Sequence, residues 1–148
     1  MLKIKIKKLH DTVKLPEKMT GSASGYDIYA NVENEKILEP KQVALIPTGF
    51  ALEIPPGYEA QIRPRSGLAI NHKLGVLNSP GTIDADFRGE IKIILINLGD
   101  KKFAVKSNKR IAQMVFAKVP FTKMMETDSL SATKRDQGGF GHTDKNKS

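Results

Sequence analysis

The chain is 148 residues long, with no cysteine, no tryptophan and a formal net charge of +8. That length suits one domain with a real core, and the absence of thiols excludes a disulfide scaffold or a cysteine-held metal. The basic balance favours polyanionic ligands, nucleic acid or nucleotide phosphates; no apolar run reaches membrane-spanning length, so a cytoplasmic or otherwise intracellular protein with no membrane partner is expected.

Strand signals dominate in chain order. Leu2, Ile4 and Ile6 alternate with Lys3, Lys5 and Lys7, the pattern of a half-buried strand with a lysine-guarded outer face. Gly25 to Ala30, Gln42 to Ile46, Phe50 to Ile54 and Glu59 to Arg63 read as short β segments, separated by turns that include Pro47-Thr48-Gly49 and Pro55-Pro56-Gly57. Ser66 to Asn71 is the one short helix expected, with Ser66 as its N-cap. Ile91 to Ile96 is a nearly continuous apolar run and predicts a core strand; Gln113 to Val119 predicts another, closed by Pro120. Many short strands with Gly/Pro turns predict an all-β jelly-roll-like barrel or sandwich over residues 1–120. From residue 121 to 148 the composition turns polar and predicts a C-terminal arm.

Five segments along this frame carry chemistry. Ser24-Gly25-Tyr26-Asp27-Ile28-Tyr29-Ala30 sets one carboxylate in an otherwise apolar and aromatic strand, where it needs an arginine or a hydrated cation as partner. Arg63-Pro64-Arg65-Ser66-Gly67-Leu68-Ala69 gathers two arginines and a hydroxyl ahead of the helix, a composition suited to an oxyanion. It is not a Walker-type loop, because the lysine and the spacing are missing. Gly81 through Glu90 packs Asp84, Asp86, Glu90 and Arg88 between apolar segments; Asp84 and Asp86 share a face if the chain stays extended there, and a carboxylate held in such a place can act on water. A solvated turn is the plainer reading of the same residues. Arg110-Ile111-Ala112-Gln113-Met114 leads two polar side chains into a strand, suited to surface placement or to a phosphate contact by the Gln113 amide. Finally, Arg135-Asp136-Gln137-Gly138-Gly139-Phe140-Gly141-His142-Thr143 offers an arginine for phosphate, an aromatic ring for a base and glycine hinges. His10, His72 and His142 make no zinc-binding spacing; a divalent ion held by ligand phosphates and water, Mg²⁺, fits the Asp-rich, cysteine-free chemistry of these segments better.

Together and in this order, Ser24–Ala30, Pro64–Ala69, Asn78 with Gly81–Gly89, Arg110–Gln113 and Arg135–Thr143 resemble the five motifs of the homotrimeric dUTP diphosphatases. The resemblance implies a jelly-roll subunit, a threefold trimer with active sites shared between subunits, and hydrolysis of dUTP to dUMP and diphosphate, lowering dUTP and supplying dUMP for thymidylate synthesis. It implies that Asp84 deprotonates a water that attacks the α-phosphorus, that Mg²⁺ bridges the phosphates with Asp27 holding it through water, and that Arg65, Ser66, Gly67 and Gln113 hold the phosphate chain. By the same resemblance Arg135 clamps the γ-phosphate, Phe140 stacks on the uracil, and Gly141 and Thr143 add arm contacts. A hairpin from Leu74 to Arg88 reads the base through Gly81, Thr82 and Ile83, with Asn78 holding a water and the ring at position 87 packing under the deoxyribose. Phe87 departs from the family's usual tyrosine. A dCTP deaminase-like enzyme, a nucleotide-sensing regulatory trimer and a nucleic-acid-binding β-barrel are the alternatives. Aromatics are few and the best placed sit inside the five segments, which disfavours stable nucleic-acid binding.

Overall fold

The computed structural model describes residues 1–139. Among the described residues ten strands and one helix run in the order β1 (Lys5–Lys8), β2 (Tyr26–Tyr29), β3 (Lys36–Leu38), β4 (Val43–Glu53), β5 (Tyr58–Arg63), α1 (Ser66–His72), β6 (Leu74–Val76), β7 (Gly81–Ile83), β8 (Glu90–Asn97), β9 (Phe103–Val105) and β10 (Arg110–Lys118). They form two four-stranded sheets, ordered β1-β4-β8-β6 and β2-β10-β5-β7, with β3 and β9 as a separate pair. Every pairing is antiparallel. The sheets enclose one apolar cluster in which Ile46, Phe50, Leu52, Ile91, Ile93 and Leu95 of the first meet Ile28, Ala60, Ile62, Ala112 and Met114 of the second, the jelly-roll-like sandwich expected from the strand-and-turn pattern.

Several local expectations change. Pro47-Thr48-Gly49 is not a turn between two strands. It lies within the single strand β4, whose register against β8 shifts between Pro47 and Ala51. Gly49 takes φ +73°, and a Cβ there would lie 2.4 Å from both the Val13 side chain and the Asn31 amide, so a bulge that only glycine can supply bends the strand around the core. The Thr48 hydroxyl, fully buried, donates to the Ile91 carbonyl at 2.5 Å. The N-terminal strand begins at Lys5 and all four of its residues are exposed, with only Ile4 half-buried before it. It is an edge strand covered on neither face, whereas alternation alone predicted one buried side. β8 is core on one face only: Ile91, Ile93, Leu95 and Asn97 point inward, while Ile94 and Ile96 lie half-buried on the outer face. Asn97 has no exposure and joins three backbone groups, donating to the Leu38 and Lys101 carbonyls and accepting from Gly99 N–H. The helix is where it was expected, but Arg65 rather than Ser66 is its N-cap and no side chain caps it; Ser66 is already helical, which leaves its hydroxyl exposed. Lys73 ends the helix in the left-handed conformation with φ 53°.

β6 and β7 do not form the paired hairpin expected between Leu74 and Arg88. β6 pairs with β8 in one sheet and β7 with β5 in the other, so the chain from Leu77 to Pro80 crosses the edge of the sandwich. Residues 121–139 contain no strand or helix.

Candidate active site

Four of the five segments are placed by one sheet, β2-β10-β5-β7. In register, Asp27 of β2 faces Gln113 of β10, and Gln113 faces Arg63 at the end of β5. Two residues beyond Arg63 stands Arg65, opening α1. These side chains meet. Arg65 Nε donates to Asp27 Oδ1 at 3.1 Å and Arg110 Nη1 donates to Asp27 Oδ2 at 3.0 Å. Arg65 Nη1 also reaches the Arg110 carbonyl at 3.4 Å. The Asp27 side chain is only 13 % exposed, so the acid in an apolar strand has both oxygens held by guanidinium groups. Such a pair is stable in partial burial only because each charge finds its complement.

Gln113 is fixed beside it. Its Nε2 donates to the Pro64 carbonyl at 2.9 Å, and its Oε1 lies 2.4 Å from where a Cβ on Gly25 would stand. Gly25 is therefore a space reserved for the Gln113 amide. Ser66 and Gly67 stand exposed at the start of α1, with open space around Gly67. Their backbone N–H groups precede the first intrahelical bond, from Ala69 N–H to the Arg65 carbonyl, and remain available to an acceptor. The result is a face of guanidinium, amide, hydroxyl and backbone N–H groups, all donors suited to phosphate oxygens.

Arg110 and Gln113 share this face only because β10 is irregular. Three residues apart in a regular strand they would point to opposite sides. The register against β2 shifts between Arg110 and Ala112, and Ile111 and Ala112 are both fully buried in succession. That extra inward residue returns Gln113 to the side of Arg110. The sequence carries this sign, two consecutive apolar residues between two polar ones, but not the grip of Arg110 on Asp27.

The third segment makes its own group. Asn78 lies against Gly81, where a Cβ would come within 3.0 Å of Asn78 Nδ2, and the Phe87 ring covers the bare backbone of Gly89. Thr82 and Asp84 are exposed and Ile83 half-buried. Extended geometry stops at Asp84, whose carbonyl accepts from Phe87 N–H across a turn at 3.2 Å, so Asp84 and Asp86 do not lie on one strand face. Arg88 Nη1 donates to the Ala85 and Phe87 carbonyls. Ile83 pairs with Ala60, which puts Asp84 four residues along and three strands across from Asp27. Strand geometry converts this to about 19 Å. A single chain does not bring Asp84 to the Asp27–Arg65–Gln113 face.

In the tail, Arg135 is exposed and its Nε bonds the Gly138 carbonyl at 2.7 Å within its own turn. The arm positions Phe140, Gly141 and Thr143 lie outside the described residues. No group of three metal-ligating side chains occurs among the described residues, and Asp27 has no oxygen free of an arginine. Each carboxylate oxygen keeps a lone pair for a water molecule, so the site suits a hydrated Mg²⁺ carried by phosphates and not an ion bound directly by protein. Among the described residues no helix is long and apolar enough to cross a membrane.

The dUTPase family model matches residues 11–144. A deoxyuridine 5'-triphosphate nucleotidohydrolase of Thermoanaerobacter sp. (strain X514) is 54% identical over 142 residues, 95% of this chain and 96% of that protein. One of the same description from Chlamydia pneumoniae is 55% identical over 131 residues, 88% of this chain and 90% of that protein. Among solved structures, the dUTPase of Staphylococcus bacteriophage 80alpha with dUpNHpp superposes with a TM-score of 0.86 at 24% identity, covering 95% of this chain and 97% of that one.

Proposed function

The chain belongs to the dUTPase family, and from that premise we propose that it hydrolyses dUTP to dUMP and diphosphate at sites completed between three copies of itself. The observation that carries the reading is the face built by Asp27, Arg65, Arg110 and Gln113, which offers fixed donors to a polyphosphate. Arg65, Ser66, Gly67 and Gln113 hold the phosphate chain. Their positive and N–H-rich surroundings stabilise the charge that builds on the α-phosphoryl oxygens and the departing diphosphate. Asp84 orients a water toward the α-phosphorus and takes its proton as the P–O bond forms; the bond to the bridging oxygen breaks and diphosphate leaves. Asp27, through water, and the substrate phosphates would hold a Mg²⁺ ion, which would supply further charge neutralisation. Arg135 binds the terminal phosphate, and the arm residues Phe140, Gly141 and Thr143 close over the nucleotide.

Two features support the trimer. Asp84 stands about 19 Å from Asp27 within one chain by strand spacing, so one subunit's third segment must meet another's phosphate face. In addition, Val43, Leu45 and Leu77 are 44%, 51% and 54% exposed beside half-buried Ile94 and Ile96 on the outer face of one sheet, an apolar surface of the kind subunit contacts bury. Base selection falls to Gly81, Thr82 and Ile83 with Asn78. A cytosine amino group would meet donors meant for a uracil carbonyl.

The test is diphosphate release from dUTP by wild type, Asp84→Asn and a chain ending before Arg135. Wild type turns over, Asp84→Asn binds dUTP but does not hydrolyse it, and the truncation loses most turnover while remaining trimeric. Ammonia release from dCTP without dUTP hydrolysis would overturn the assignment in favour of a deaminase.

A further inference from the structure

We infer that Arg110 is a positioning residue for the phosphate-binding Arg65, acting through Asp27 and through its own backbone carbonyl, and that the β10 bulge exists to place it there. The inference rests on the dUTPase reading and deepens it.

A guanidinium has five N–H donors in a fixed plane. In Arg65 the Nε–H is committed to Asp27 Oδ1 and one Nη1–H to the Arg110 carbonyl. Anchors at Nε and at Nη1, on opposite sides of the group, fix its plane, and Nη2 donates to nothing among the described residues. The fork that remains is the one presented to a ligand. Asp27 can orient Arg65 only if its own carboxylate is held, and Arg110 Nη1 on Oδ2 does that. Without Arg110, the carboxylate is free to rotate or to draw Arg65 into a bidentate grip, which would take the second guanidinium edge from the phosphates.

Arg110 thus contributes two contacts from one residue, a side-chain donor to Asp27 and a main-chain acceptor to Arg65. Both depend on the local backbone. Arg110 faces Tyr29 in register and Gln113 faces Asp27, with the shift lying between them. A regular strand in its place would turn either Arg110 or Gln113 into the core, so the bulge keeps the anchor of Arg65 and the Gln113 amide on one surface. At 41% side-chain exposure against 25% for Arg65 and 13% for Asp27, Arg110 is the outer member of the three.

The experiment compares wild type with Arg110→Gln and Arg110→Lys, alone and in an Arg65→Lys background. Affinity for a non-hydrolysable imido analogue of dUTP is measured in EDTA, so that no metal takes part, alongside kcat and KM for dUTP with Mg²⁺ and the Tm. Arg110→Gln should weaken the analogue and raise KM by about tenfold, the loss of one charge-assisted contact, while kcat falls less and Tm moves by no more than about 3 °C. Arg110→Lys should recover part of the affinity. In the Arg65→Lys background the Arg110→Gln change should cost less than about twofold, because the residue it positions is already altered. Unchanged affinity in Arg110→Gln, or losses that multiply independently of Arg65, would overturn the inference with the dUTPase assignment intact. A wild type that neither binds the analogue nor hydrolyses dUTP would remove that assignment, and the inference with it.

Discussion

Replacing Gly25 by alanine should damage the enzyme without damaging the fold. The new Cβ would stand 2.4 Å from Gln113 Oε1 and 3.4 Å from Gln113 Cβ, so the Gln113 amide must swing away. It is the far end of a flexible side chain, and no backbone has to move. The swing breaks the bond from Gln113 Nε2 to the Pro64 carbonyl, which costs about 1 kcal/mol. Alanine restricts the unfolded chain more than glycine and returns roughly 0.4–1 kcal/mol. Net stability then changes by less than about 1 kcal/mol, or ~3 °C in Tm for a chain of this size. The phosphate contact is a larger matter: a hydrogen bond to a charged group contributes about 1.5–3 kcal/mol, so kcat/KM should fall by roughly 10- to 150-fold. Diphosphate-release kinetics on dUTP together with a thermal melt measure both effects. Gly21→Ala, with open space around its Cβ position, serves as the control. A kcat/KM within about twofold of wild type would show that Gly25 does not reserve space for a working Gln113, and the reasoning would be wrong.

Other expectations are independent of that one. Asn97→Leu should strand the Leu38 and Lys101 carbonyls and Gly99 N–H; a loss of about 3 kcal/mol or more, roughly 6–12 °C in Tm, is expected by calorimetry. Phe87 keeps a ring packed over Gly89, so dUTP should still be strongly preferred to UTP, and comparable kcat/KM for the two nucleotides would refute a sugar-sensing role. Glu17 is held below the ordinary carboxylate range by the Tyr29 hydroxyl first and Lys14 second. Its folded pKa is depressed, so its contribution to stability is present above the unfolded value and is lost as pH falls through the folded one; Tyr29→Phe should therefore flatten the acid limb of a Tm-against-pH profile.

The sequence carried the sandwich and the chemistry of the site further than its geometry. Alternation and turn residues located β2, β5, β8 and β10, because those strands are long enough, or bounded clearly enough, for a period to be visible. The short strands β3, β6, β7 and β9, each of three residues, contain too few positions to show one. Pro47-Thr48-Gly49 has the composition of a turn, but tertiary pairing with β8 carries one strand through it as a bulge. The partner of Asp27 was legible as a requirement, since a carboxylate in an apolar strand demands a cation. That Arg65 and Arg110 both answer it depends on a register shift in β10, and no pairwise spacing encodes that. The separation of Asp84 from Asp27 is likewise a property of strand order, which a linear motif does not contain.

Strand order also sets when the site can exist. Asp27 pairs in register with Gln113, so β2 waits for a partner near the other end of the chain. During synthesis the first half of the protein emerges with the edge of β2 open and its acid still lacking Arg110. Long-range pairing of this kind is slow and leaves strand edges exposed meanwhile. The nascent chain therefore remains without a phosphate-binding face until β10 has left the ribosome, and mutations that slow β2–β10 docking should lower soluble yield before they lower the activity of the molecules that fold.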